Sequence, residues 1–257
     1  SRDKSHFDRI RHIQADIETG EISRGWNQHR WRISKILLPD TKIKKVEKYR
    51  LSDDELGWVE AWEWFVQNIP DDNLPGFPIW SDQFKLKPEI PDGCPDWKKI
   101  FLVKNSQFYK DHKAVIDRWK KMKWGKSQKT VSEFPPSRQL FEWQAKRAHP
   151  CREGRTLRDL VLQFRPSGIR VKPPTYLPAL VAITQTSIVG PDVKAGIKEY
   201  RELTPQEAAE LQCMPHDVFE ASGIDDKAAY KQLGNAVNVG VVRYLANRLI
   251  NPEAVVK

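Results

Sequence analysis

The sequence predicts an α/β protein, and three observations carry that prediction. Apolar residues recur at helical spacing behind well-formed caps in several segments. β-branched runs, "PALVAIT" (178–184) and "TSIV" (186–189), are set off by Pro and Gly as strands would be. The third is "LTPQEAAELQ", with Thr204 as N-cap, Pro205 at the first helical position and Glu207 closing a capping box.

Taken in order, residues 1–50 read as a helix followed by a short strand, "RISKILLP" (32–39). Ser52 and Glu55 form a capping box for the next helix, which continues with Trp58, Trp62, Phe65 and Ile69 at spacings of three or four. Residues 70–97 hold Pro70, Pro75, Pro78, Pro88, Pro91 and Pro95, so an irregular excursion is expected there. "SQFYKDHKAVIDRWKKMKW" (106–124) reads as one basic amphipathic helix, with Phe108, His112, Val115, Trp119 and Met122 on one side. His112 on that face is expected in the core or at its boundary, not as a ligand. Near the C-terminus, "YKQLGNAVNVGVVRYLANRLI" (230–250) reads as a glycine-centred loop opening onto an amphipathic helix. There is no internal repeat and no low-complexity segment.

The chain's 257 residues suffice for one large domain or two small ones with a real core, and ten Trp favour folding over disorder. Cys94, Cys151 and Cys213 have no paired spacing, so neither a disulfide framework nor a metal site is suggested. No run of about 18 apolar residues exists, and the charged N-terminus lacks the apolar core of a secretory signal. A cytoplasmic protein without a membrane partner is the expectation. From Lys98 to Lys172 there are 20 Lys and Arg against 6 Asp and Glu, a local +14 in a chain of net +9. That footprint fits a nucleic-acid surface, or a solvated lysine-rich face.

The order of features resembles one family. "RELTPQEAAELQCMPHDVF" (201–219) followed by "AYKQLGNAVNVGVVRYLANRLI" (229–250) is similar to the ninth and tenth motifs of DNA (cytosine-5) methyltransferases. "FRPSGIRVKPPTYLPALVAITQTSIVG" (164–190) sits where that family's target-recognition domain ends. "RISKILLPDTKIKKVEKYRLSDDEL" (32–56) resembles the segment where it begins. The specific matches cover about the last 90 residues. Cys213 stands where the family usually has Gly, and Ala236 where Ser is common. The family's Gly-rich cofactor loop, its Glu-Asn-Val motif and its Pro-Cys-Gln nucleophile motif do not occur in this sequence. Pro150-Cys151 lies in "KRAHPCREGRT", with no strand before it and Arg where Gln is needed, so Cys151 is not expected to act as nucleophile. "NQHRWR" (27–32) only mimics the eighth motif.

The resemblance implies a target-recognition (small) domain plus a C-terminal helix segment that completes the doubly wound catalytic domain of a methyltransferase. The implied divisions are 1–200 for DNA recognition, 201–220 for the ninth-motif helix and 221–257 for the tenth-motif loop and helix. Methylating carbon 5 of cytosine needs a thiolate nucleophile, a nearby acid, a held sulfonium and a flipped base. Accordingly no catalytic residue is assigned here, and the chain is expected to be inactive alone. The implied cofactor is S-adenosylmethionine, shared with a polypeptide carrying the first eight motifs. Gly234, Asn235, Ala236 and Val237 are the implied cofactor-facing residues. Val237, Val241, Val242, Leu245 and Leu249 would bury against that partner. The implied double-stranded DNA would be read from the loops "QFRPSGIR" and "ITQTS", giving Arg165, Ser167, Arg170, Thr184, Gln185 and Thr186 as base readers, with a phosphate contact or a plain surface residue as the alternative for each. Lys98, Lys99, Lys120, Lys121 and Lys123 would meet phosphates or solvent. Two alternatives stay open: a free-standing sequence-specific DNA-binding protein derived from such an enzyme, and a piece of one longer chain.

Overall fold

The computed structural model describes residues 32–72, 74–175, 177, 180, 186–215, 217–219 and 223–250. The chain divides into two compact units, one of 37–177 with 185–203 and one of 1–36, 178–184 and 204–257. The expected strand at 184 and before, the N-terminal helix, and the reader candidates Thr184 and Gln185 lie outside the described residues.

The larger unit is built on a six-stranded mixed sheet. Its strands are β1 (Ile79–Trp80), β2 (Leu140–Trp143), β3 (Val161–Arg165), β4 (Gly168–Lys172), β5 (Ile188–Val189) and β6 (Arg201–Glu202), in the order β1-β2-β4-β3-β5-β6. β2 and β4 are parallel, and the other neighbours are antiparallel. Strand alternation gives the sheet two unlike faces. Phe141, Trp143, Leu162, Phe164, Ile169, Val171 and Ile188 are buried on one of them. On the other, Glu142, Arg170 and Gln163 stand in one register row across β2, β4 and β3.

Three helices serve the apolar face: α1 (Asp53–Asn68), α2 (Asp96–Asp111) and α3 (Lys113–Lys121). The α1 start is as expected: Glu55 accepts from the Ser52 amide at 2.8 Å, and the Ser52 hydroxyl accepts from the Glu55 amide. Trp62 of α1 stacks on Phe141 at 4.5 Å and meets Trp119 of α3 at 4.8 Å. Neither indole is left unpaired, because Trp62 donates to the Arg138 carbonyl at 2.9 Å and Trp119 to the Ala61 carbonyl at 2.7 Å. Among its described residues, the proline-rich 70–97 stretch is irregular apart from β1, one 3-10 turn, Ser81–Gln83, and the start of α2 at Asp96.

Two expectations about elements need correction. Residues 32–39 form a 3-10 turn at Ile33–Lys35, closed by Ile36 donating to the Ile33 carbonyl, and not a strand. An apolar run this short does not fix its own period, and this one has no ladder partner in the sheet. The single helix expected over 106–124 is two helices meeting at His112, whose backbone (φ −119°, ψ 23°) leaves the helical region. His112 is tied by its side chain: Nε2 lies 3.0 Å from Asp71 Oδ2, and the ring packs on Phe108. His112 is buried, as expected.

The smaller unit holds α4 (Pro205–Leu211), α5 (Asp226–Asn235) and α6 (Val239–Ile250). The α4 capping box forms as expected, with Thr204 donating to Glu207 Oε2 at 2.8 Å and Glu207 donating to Thr204 Oγ1 at 3.1 Å. Ala208, Ala209 and Leu233 make a small core, against which Leu180, Met214, Phe219 and Tyr230 pack.

Candidate nucleic-acid interface

The polar face of the sheet gathers the two arginines of the β3–β4 hairpin. Pro166 and Ser167 form the two-residue turn between them, and Ser167 is exposed. Gly168 closes the turn at φ +125°, where a Cβ would lie 2.9 Å from the Leu140 carbonyl oxygen. Only glycine lets the hairpin approach β2 this closely. The approach fixes where Arg165 and Arg170 emerge.

Most arginines of this unit are already committed to the fold. Arg201, fully buried, donates to Asp40 at 3.3 Å and to the Leu38 carbonyl at 2.9 Å. Arg155 donates to the carbonyls of Ile69 and Asp71 beyond the end of α1. Arg158 grips Asp192 with two hydrogen bonds. Arg138 lies over the rings of Trp58 and Phe164 and donates to the Arg165 carbonyl. Arg165 and Arg170 differ. The Arg165 guanidinium has no acceptor among the described residues. Arg170 uses only Nε, which donates to Glu142 Oε2 at 2.7 Å. Glu142 also accepts from Gln144 Nε2 at 3.1 Å. Lys172 joins this face, and its amine is pushed below the usual lysine range by burial first, then by the positive charges of Arg170 and Arg165.

The remaining candidates sort by exposure. Thr186 is buried beside β5 and presents nothing to a groove in this structure. Lys121 and Lys123 are exposed, whereas Lys120 is half-buried and donates to the Ser81 carbonyl at 3.3 Å. Burial holds its amine below the ordinary lysine value. Lys98 and Lys99 are exposed on α2, with Lys99 paired to Asp96. Sequence reasoning missed Glu142, Gln144, Gln163 and Lys172. The alternation in "LFEW" and "GIRVK" marks Glu142 and Arg170 as facing away from the core, but nothing in the sequence shows that they are neighbours.

In the smaller unit, the segment expected to be a glycine loop is the end of a helix. Gly234 and Asn235 form the last turn of α5, and the connection to α6 is only Ala236–Asn238. Asn238 caps α6 by accepting from the Val241 amide at 3.1 Å, while its Nδ2 donates to the Leu211 carbonyl at 2.8 Å. Gln212 Nε2 donates to the Leu233 carbonyl and its own carbonyl accepts from Val239. The end of α4 is thereby clamped to the start of α6. Cys213, where the resemblance leads to an expectation of glycine, adopts the left-handed backbone at φ +55°. Its amide donates to the Glu210 carbonyl and that of Met214 to Ala209, completing a Schellman cap without glycine. Asn235 is exposed, and its amide has no partner among the described residues; Val237 is 67% exposed. This stretch therefore presents one side-chain amide and one apolar side chain to solvent.

The C-5 cytosine-specific DNA methylase family profile matches residues 23–251. The chain belongs to this family. The Type II methyltransferase M.AluI of Cellulosimicrobium cellulans is 36% identical over 272 residues, an alignment covering 88% of this chain and 48% of that protein. This chain thus spans about half the length of that methylase. No solved structure matches. A six-stranded mixed sheet served by helices agrees with an α/β member of the family, and among the described residues no helix is long and apolar enough to cross a membrane.

Proposed function

We propose that this chain is the DNA target-recognition and domain-closing portion of an S-adenosylmethionine-dependent DNA (cytosine-5) methyltransferase. It is inactive alone and works with a part carrying the catalytic Cys and the cofactor loop, on a separate polypeptide or on another stretch of one chain. Family membership, the basic 98–172 region and the length relative to M.AluI support the reading. Double-stranded DNA is the substrate, and a restriction–modification setting fits the named relative.

One observation carries it. Val241 and Val242 of α6 are 46% and 49% exposed, on a helix whose start is clamped by Gln212 and Asn238, and Val237 in the connection just before it is 67% exposed. An ordered apolar face facing solvent is what a segment completing another fold requires. Burying each Val is worth about 1.5–3 kcal/mol, so these residues could dominate association. Asn235, beside that face, would offer its amide to polar groups of the cofactor, which supplies the methyl group when bound.

The test is assembly with a polypeptide carrying the first eight motifs, followed by gel filtration. Val241→Asp should abolish the complex while the chain itself keeps its fold, because Val241 is exposed in the chain alone. A free-standing DNA-binding protein would form no such complex in either form. That outcome would replace this reading with the alternative one.

A further inference from the structure

Glu142 holds Arg170 by Nε alone. Both Nη groups of Arg170 have no acceptor among the described residues, and the side chain is 24% exposed. A guanidinium fixed at Nε keeps its terminal fork free in a set orientation, and that fork matches the O6 and N7 acceptors of guanine in the major groove. Glu142 stands opposite Arg170 in register, so the bond joins two neighbouring strands rather than a mobile loop. Gln163, 8% exposed, flanks Arg170 from β3. Arg165, Arg170 and Lys172 crowd this face, and Glu142 opposes their charge on Lys172. A face with surplus cations and an unfilled donor fork calls for an acceptor-rich ligand.

We infer that Glu142 is a positioning residue for sequence recognition, orienting Arg170 to read one guanine of the target duplex. The inference rests on the recognition role proposed above. The competing arrangement is a plain ion pair that stabilises the sheet, with Arg170 touching at most a phosphate. The two differ in what the substitutions Arg170→Lys, Glu142→Gln and Glu142→Leu do. Lysine keeps the charge but loses the fork. Glutamine keeps an acceptor for Nε at the same length, whereas leucine does not.

The 257-residue chain is incubated with a pool of random double-stranded DNA, bound molecules are sequenced, and affinity for one non-enriched duplex is measured alongside. The wild-type chain should enrich a motif containing a guanine. Arg170→Lys and Glu142→Leu should both lose the preference at that one position, by about tenfold to a hundredfold, with affinity for the non-enriched duplex unchanged. Glu142→Gln should retain most of the preference. If Arg170→Lys and Glu142→Leu leave every positional preference intact, or lower affinity for all duplexes alike, Glu142 is structural and the inference is wrong. If the wild-type chain enriches no motif, the recognition role itself fails and the inference with it.

Discussion

A methyl group added at Gly240 tests the clamp between the two family motifs. A Cβ there would lie 2.8 Å from Cys213 Sγ and 3.1 Å from Asn238 Oδ1, the oxygen that caps α6. The sulfur contact falls well inside the roughly 3.5–4 Å of ordinary packing. Overpacking of this kind costs about 1–3 kcal/mol, and loosening the Asn238 cap adds about 1 kcal/mol. Alanine's better helix propensity returns up to about 1 kcal/mol. Gly240→Ala should therefore destabilise the smaller unit by about 1–3 kcal/mol. Cys213→Gly removes the sulfur and also relieves the left-handed backbone, worth about 1 kcal/mol. In that background Gly240→Ala meets only Oδ1, so the two changes should couple by about 1–2 kcal/mol. Amide hydrogen exchange of peptides from 205–250 reads local opening directly. If Gly240→Ala costs the same with Cys213 as with glycine, the steric account of this junction is refuted.

Two further outcomes follow from the larger unit. Replacing Lys121 and Lys123 by Gln should flatten the salt dependence of DNA affinity equally for all sequences, while Lys120→Gln, docked on the Ser81 carbonyl, should change it little; a titration from low to high salt separates them. Glu202 is raised to about 7 by burial first and by Glu55 second. Its folded-state value exceeds its ordinary one, so its contribution is full below about pH 4.5 and lost as pH rises through about 7. Glu202→Gln should accordingly stabilise the unit by about 1–3 kcal/mol at pH 8 and by almost nothing near pH 4.5, read by urea melts at both pH values.

How far the sequence reveals these features depends on how local their causes are. The Thr204 and Ser52 capping boxes are legible because each is closed within four residues. The break at His112 is not, because Phe108, His112, Val115 and Trp119 keep an unbroken helical spacing. What holds the His112 ring there is Asp71, forty-one residues away. Gly234-Asn235 suggests a loop by composition, yet the Asp225 cap and the Leu233 core contact carry α5 through it. Arg170 is singled out only by the loop "QFRPSGIR" that the family resemblance points to. Its partner Glu142 is invisible until the parallel pairing of β2 with β4 sets them side by side.

The most direct test of the central claim is transfer of labelled methyl groups to duplex DNA from S-adenosylmethionine. This chain alone should transfer none. Adding a polypeptide that carries the first eight motifs should give site-specific transfer at cytosine carbon 5, lost again with Val241→Asp. Transfer by the pure chain, abolished by Cys151→Ser, would overturn the proposed role, as would a mixture that binds DNA but never methylates it.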